Sequence, residues 1–139
     1  MTTQDKKNWL NRYKNIIIEI DSILDDLDYF REVATNISPH YGLAIRGGHK
    51  TDKLQNAVAE IVDLHNLLIN TTLEALNIRK EVVKAIEDLE SPILWIVLTR
   101  RYILFKTWDE IADSVGYNRK HTIRLHNKAL DIMSFEDKI

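Results

Sequence analysis

Apolar residues recur along this chain in the three-and-four rhythm of the α-helix, broken at a few places by proline or glycine. Leu10, Tyr13, Ile17, Ile20, Leu24 and Leu27 form one row. Trp9, Ile16, Ile23, Phe30 and Ile37 form a second row beside it. The pattern predicts a first helix over residues 5–36, with an apolar stripe wide enough to touch more than one neighbour. Pro39, Gly42, Gly47 and Gly48 then interrupt it. They predict a loop over residues 38–51, long for a connection between helices and mildly basic through Arg46, His49 and Lys50.

The rhythm resumes over residues 52–90. Leu54, Val58, Ile61, Leu68, Thr72, Ala75, Val82, Ile86 and Leu89 keep it, with His65 and Arg79 in two of the places. Ala57, Leu64, Thr71, Ile78 and Ala85 lie in the adjacent row. A helix of that length spans roughly 58 Å. Neither long helix can bury its stripe alone, so a coiled-coil-like antiparallel hairpin is expected, paired with a second copy as a homodimer. His65 reads as a seam position that sets register. Asn70-Thr71-Thr72 is the weakest helical stretch.

Ser91-Pro92 marks the next boundary, with Ser91 as N-cap and proline in the first turn of a buried third helix over 92–105. Thr107-Trp108-Asp109-Glu110 reads as a capping box opening a short fourth helix over 108–115. Gly116 offers the left-handed turn residue, and Asn118 caps a fifth helix running to Met133. Residues 134–139 are expected to fray. The predicted fold is all-α: a hairpin domain over residues 1–90 for oligomerisation or partner binding, and a helix-turn-helix domain over 91–139.

Charge changes this picture where composition does not. The net charge of −2 is unpromising for nucleic acid. Residues 92–130, however, hold seven Lys/Arg against three acids, a local +4, while the rest holds twelve against eighteen, or −6. One end of the chain is thus built to attract polyanions. The last helix carries Asn118, Arg119, Lys120, His121, Arg124 and Lys128 on or near its outer face. Arginine can fork to guanine and asparagine can pair with adenine. Lys128 suits a phosphate, and Arg100 and Arg101 suit a flanking phosphate. Ala112 and Gly116, four residues apart, with Leu125 and Ala129 returning to the core side, have helix-turn-helix spacing.

Other chemistry finds little support. There is no cysteine, hence no disulfide or thiolate zinc site. His40, His49, His65, His121 and His126 include no pair spaced i, i+4 with a glutamate base, so no metal is expected. Asp25, Asp26 and Asp28 read as a solvated face. No phosphate loop, nucleophile elbow or triad pattern appears, so neither cofactor nor enzymatic activity is expected. With no signal-like run at the start and no stretch near the ~18 apolar residues of a membrane span, the expected location is the cytoplasm.

Several runs carry a resemblance. Val97-Leu98-Thr99-Arg100-Arg101-Tyr102, Trp108-Asp109-Glu110-Ile111-Ala112, Val115-Gly116-Tyr117 and Arg124-Leu125-His126 with Ala129-Leu130 together resemble region four of bacterial sigma factors. They look most like the sigma-like late-gene regulators of Gram-positive phages and prophages, the ArpU-type family. The close likeness covers residues 92–132. It implies a promoter-DNA-binding activator in a bacterial host cell, with RNA polymerase as a further partner. It also implies that Asn118, Arg119, Lys120, His121 and Arg124 read the groove. Two positions depart from the pattern. The turn after Tyr102 often carries glycine in these proteins but reads Ile103-Leu104-Phe105-Lys106 here. A left-handed Phe105 would be strained, so a different turn is expected. The inner position usually held by Val or Ile is Thr122, which would allow an offset in helix phase. The competing function is a helical adaptor that binds RNA polymerase or another protein without reading DNA.

Overall fold

The computed structural model describes residues 1–37 and 48–135, and these are helical apart from short connections, with no strand among them. In chain order the helices are α1 (Thr3–Leu10), α2 (Arg12–Ile37), α3 (Gly48–Glu87), α4 (Pro92–Tyr102), α5 (Trp108–Val115) and α6 (Arg119–Ile132). No helix among the described residues is long and apolar enough to cross a membrane. Most of the loop expected over 38–51, namely residues 38–47, lies outside the described residues. Gly48 to Thr51 belong to α3 instead.

The first helix starts earlier than expected because Thr2 and Asp5 form a capping box. The Asp5 N–H donates to Thr2 Oγ1 at 3.1 Å and the Thr2 N–H donates to Asp5 Oδ2 at 2.9 Å. The helix is bent between α1 and α2 at Asn11, whose backbone stays near helical at φ −73° and ψ −5°. Here Arg12 Nε donates to the Trp9 carbonyl at 3.1 Å, and the guanidinium lies 4.5 Å from the Trp9 ring. A side chain inserted into the carbonyl ladder is a recognised cause of a kink.

By packing, the chain divides into two compact units, Met1–Ile16 with Ala75–Ile139, and Ile17–Glu74. This is not the division at residues 90/91 that the proline suggested. The reason is in the core of the first unit. Leu10, Val82, Ala85, Ile86 and Leu89 share one buried cluster with Leu94, Leu98, Tyr102, Leu130 and Phe135. The open end of the hairpin is therefore part of the body that holds α4 to α6. Each large apolar side chain sealed there contributes about 1.5–3 kcal/mol. Of the tail expected to fray, residues 136–139 lie outside the described residues, while Phe135 is buried, meets Trp9 edge-on at 5.0 Å, and Lys6 Nζ donates to the Leu130 carbonyl at 2.7 Å.

In the second unit α2 and α3 run antiparallel. Arg31 Nη2 lies 3.0 Å from His65 Nε2, and Tyr29, Phe30 and Val33 line a cleft with Asn56, Ala57 and Glu60. Ile23, Leu27, Ala57 and Thr71 are its buried residues. The seam thus follows the row of Ala57 and Thr71, while Val58, expected in the seam, is 47% exposed. Asn70-Thr71-Thr72 stays helical.

Candidate nucleic-acid interface

α4 begins with the backbone of a capped helix, but the Ser91 side chain makes no cap hydrogen bond. Pro92 supplies the fixed φ there. Leu94, Val97, Leu98 and Tyr102 are buried, while Trp95 remains 39% exposed, contrary to the expectation for so apolar a helix. α4 ends at Tyr102, earlier than predicted. The turn that follows is built through Phe105 in the left-handed region, φ 58°, which the sequence reading expected the chain to avoid. Such a residue costs on the order of 1–2 kcal/mol. Two features offset it. The Phe105 ring packs on Tyr13 with centroids 5.5 Å apart, and Arg101 Nη1 donates to the Lys106 carbonyl at 3.1 Å.

The capping box at α5 forms as its residues predict. The Glu110 N–H donates to Thr107 Oγ1 at 3.2 Å and the Thr107 N–H donates to Glu110 Oε1 at 3.3 Å. Hydrogen bonding from the Thr107 backbone N–H first, and from the Thr107 side chain second, holds the Glu110 carboxyl below the usual range. Gly116 closes α5 in the left-handed conformation, φ 79° and ψ 23°, with its N–H donating to the Ala112 carbonyl at 3.0 Å. Asn118 then opens α6: its Oδ1 accepts from the His121 N–H at 2.8 Å. Thr122 is fully buried and donates to the Asn118 carbonyl at 2.9 Å. The inner position is therefore occupied in register, without an offset in phase.

With Thr122, His126, Ala129 and Leu130 inside, α6 presents Arg119, Lys120, Arg124 and Lys128 exposed to solvent. Arg119 Nε is 3.9 Å from Asp109 Oδ1 on α5, a loose exposed ion pair worth at most about 1 kcal/mol. The remaining predicted residues have other duties. Asn118 spends its side-chain oxygen on the cap, which removes the two-point pairing with adenine that its type suggested. His121 is half-buried with its ring edge-on to Tyr117 at 4.7 Å. Arg100 Nη1 donates to Ser114 Oγ, tying α4 to α5. Arg101 lies over the Trp108 ring at 4.3 Å. The eight residues singled out by sequence thus separate into four outward cations, one cap, one ring contact and two inter-helix ties.

The crossing of α4, α5 and α6 is fixed by a residue whose role the sequence did not reveal. His126 is 2% exposed. Its Nε2 is 2.6 Å from Tyr102 Oη, and its Nδ1 is 3.1 Å from Asn127 Oδ1. An amide oxygen only accepts, so Nδ1–H donates to Asn127 and the Tyr102 hydroxyl donates to Nε2. Trp108 closes the site edge-on at 4.9 Å. Burial pushes the imidazole down to about 4, with the Lys7 and Arg101 charges acting the same way against the opposing Asn127 bond. Burial likewise pushes the Tyr102 phenol up to about 12.

Sequence reasoning also passed over cations outside the C-terminal segment. Lys7 and Lys14 stand with Arg101 and Lys106 around a cleft beside α6. Their signal was the spacing of Lys7, Asn11 and Lys14, which places all three on one helix face. No protein-family model matches the chain, and neither the curated proteins nor the solved structures contain a significant match to it.

Proposed function

We propose that the chain is a sequence-specific DNA-binding transcription regulator, not an enzyme, and that α5 and α6 form a helix-turn-helix of the sigma region-four type. The observation that carries this reading is the outward row Lys120, Arg124 and Lys128, with Arg119 exposed at the helix start, on a helix whose opposite face is sealed in the core. A helix so anchored can enter a major groove without unfolding anything, its arginines on base edges and Lys128 on a phosphate. On the resemblance to ArpU-type regulators, the regulated sites are late promoters of a phage or prophage in a bacterial host. RNA polymerase is then a second partner. Selection from a random duplex library followed by footprinting tests the reading. A defined site whose log affinity falls with log salt at a slope of about −3 to −4, for four phosphate-range cations, is the expected result. No shift of any duplex at low salt refutes it.

A separate observation favours a protein contact through α3, and we propose that the contact is with a second copy of the chain. Val58, Val62, Ile69 and Leu73 are 47–58% exposed. At 100° per residue they fall within about 60° of arc. Between residues 54 and 74 the charged side chains are Glu60, Asp63 and Glu74, all turned by more than about 100° from the middle of that stripe. One flank carries the neutral amides Gln55, Asn66 and Asn70, and the other carries Thr72 and His65, the latter 3.0 Å from the Arg31 guanidinium. A charge-free apolar centre is the mark of an interface core. Paired with itself it brings no like charges together, whereas DNA or a charged peptide finds no counter-charge there. Sedimentation of the wild type and of Val62→Glu tests this: a dimer that the variant dissociates is expected, and a wild-type monomer at micromolar concentration refutes it.

A further inference from the structure

The cleft beside α6 gathers positive charge from parts of the chain far apart in sequence. Lys7 reaches it from α1 and Lys14 from the start of α2. Arg101 and Lys106 reach it from the end of α4 and the turn beyond. Its volume is about 240 Å³, and no aspartate or glutamate lines it. Glu110, 3.8 Å from Lys106, lies outside the lining. Asn11 and Asn127 add amides that can donate to an oxyanion, and Trp108 forms part of the apolar wall.

The position is as informative as the charge. Ile123 and Asn127, which border the cleft from α6, lie on the flank of that helix next to the exposed face of Lys120 and Arg124. A duplex held on that face would carry its sugar–phosphate backbone along the flank. Lys14 and Lys106 are exposed there and can meet it without any rearrangement. Arg101 is already fixed by its contacts with Trp108 and the Lys106 carbonyl, so its charge is presented at little cost in entropy.

We propose that this cleft is a phosphate-binding site and that it takes a backbone phosphate of the DNA strand lying against α6. The proposal rests on the DNA-binding reading for the source of the phosphate, and on the cleft alone for its chemistry. Lys7 and Lys14 make the N-terminal helices part of the nucleic-acid interface. They act as positioning contacts that set the depth and register of α6 in the groove without reading a base.

The test is fluorescence anisotropy of the selected duplex over a range of salt, with the full chain as wild type, Arg124→Ala and Lys7→Gln/Lys14→Gln. Calorimetric titration of the same three proteins with ATP, as a free phosphate probe, runs beside it. Neither lysine side chain is buried, so the double variant is expected to fold as the wild type does. The expected result is a double variant about tenfold weaker on DNA at low salt, with a salt slope reduced by about 1 and an unchanged preferred sequence. If Arg124→Ala weakens binding while the double variant matches the wild type in both assays, the cleft proposal is overturned and the DNA reading stands. If the wild type binds no duplex but its ATP heat disappears in the double variant, the DNA reading falls and the cleft serves a free phosphate ligand. Silence in both assays overturns both.

Discussion

Acidification to pH 5 should weaken this fold by about 2 kcal/mol through one side chain, His126. In the folded chain the imidazole is buried, accepts from the Tyr102 hydroxyl and is pushed down to about 4 from an ordinary 6.5. A proton on Nε2 would abolish that acceptor, and Lys7 and Arg101 would oppose the new charge. The unfolded chain therefore binds the proton first. The histidine's contribution is fully present above pH 6.5, is lost as pH falls from there toward 4, and amounts in full to about 3 kcal/mol. Between pH 7 and pH 5 the loss is about 2 kcal/mol. The carboxylates do not confuse the measurement. Asp5 and Glu110 are held below the usual range by cap hydrogen bonds, so what they contribute is lost only at lower pH. Urea unfolding at pH 7, 6 and 5 provides the assay, with His126→Gln as control, since Gln can still accept from Tyr102 but does not titrate. The wild-type curve should fall relative to the variant's by the stated amount. Parallel curves, or a His126 C2 proton resonance that titrates near 6.5, would refute the argument.

Three further outcomes follow from the same geometry. Gly116→Ala should lower stability by about 1 kcal/mol in thermal or urea unfolding, from backbone conformation alone, because an added Cβ meets no atom within 4 Å. Phe105→Gly should be more stable than Phe105→Ala by about 1 kcal/mol, both losing the Tyr13 contact but only glycine relieving φ 58°; equal stabilities would show that the turn carries no strain. Asp109→Asn, by releasing Arg119 and removing a negative charge beside α6, should tighten duplex binding a few-fold at low salt and do less in an Arg119→Ala variant, where only the removed charge is left to act.

The helices themselves were readable from sequence because local chemistry decides them. The Thr107 capping box, Gly116 and Asn118 each fix a boundary through bonds to residues three or four away, and all appear where their types demand. Pro92 likewise opens α4. What sequence missed was decided by distant partners. A left-handed Phe105 makes no sense without the Tyr13 ring to receive it. His126 looked like part of a basic helix, and only the neighbouring Tyr102 and Trp108 make it a neutral buried tie. Arg100 and Arg101 carry charges that suit phosphate, yet their positions on the inner side of a helix crossing gave them structural partners first. Local charge counts could not place Lys7 and Lys14 beside α6, because more than a hundred residues separate them from it in the chain.

The shared core of α1, the end of α3 and α4 to α6 has a bearing on how the chain is made. Leu10 precedes its cluster partner Leu130 by 120 residues, so it is synthesised well before the partner that helps to bury it. Until then Leu10, Val82 and Ile86 lack the part of their cover that α6 supplies. A chain halted before α6 should therefore be a substrate for chaperones and proteases, and should not serve as a shorter working version. α6 thus covers residues that precede it in the chain, and its own back is sealed only by them.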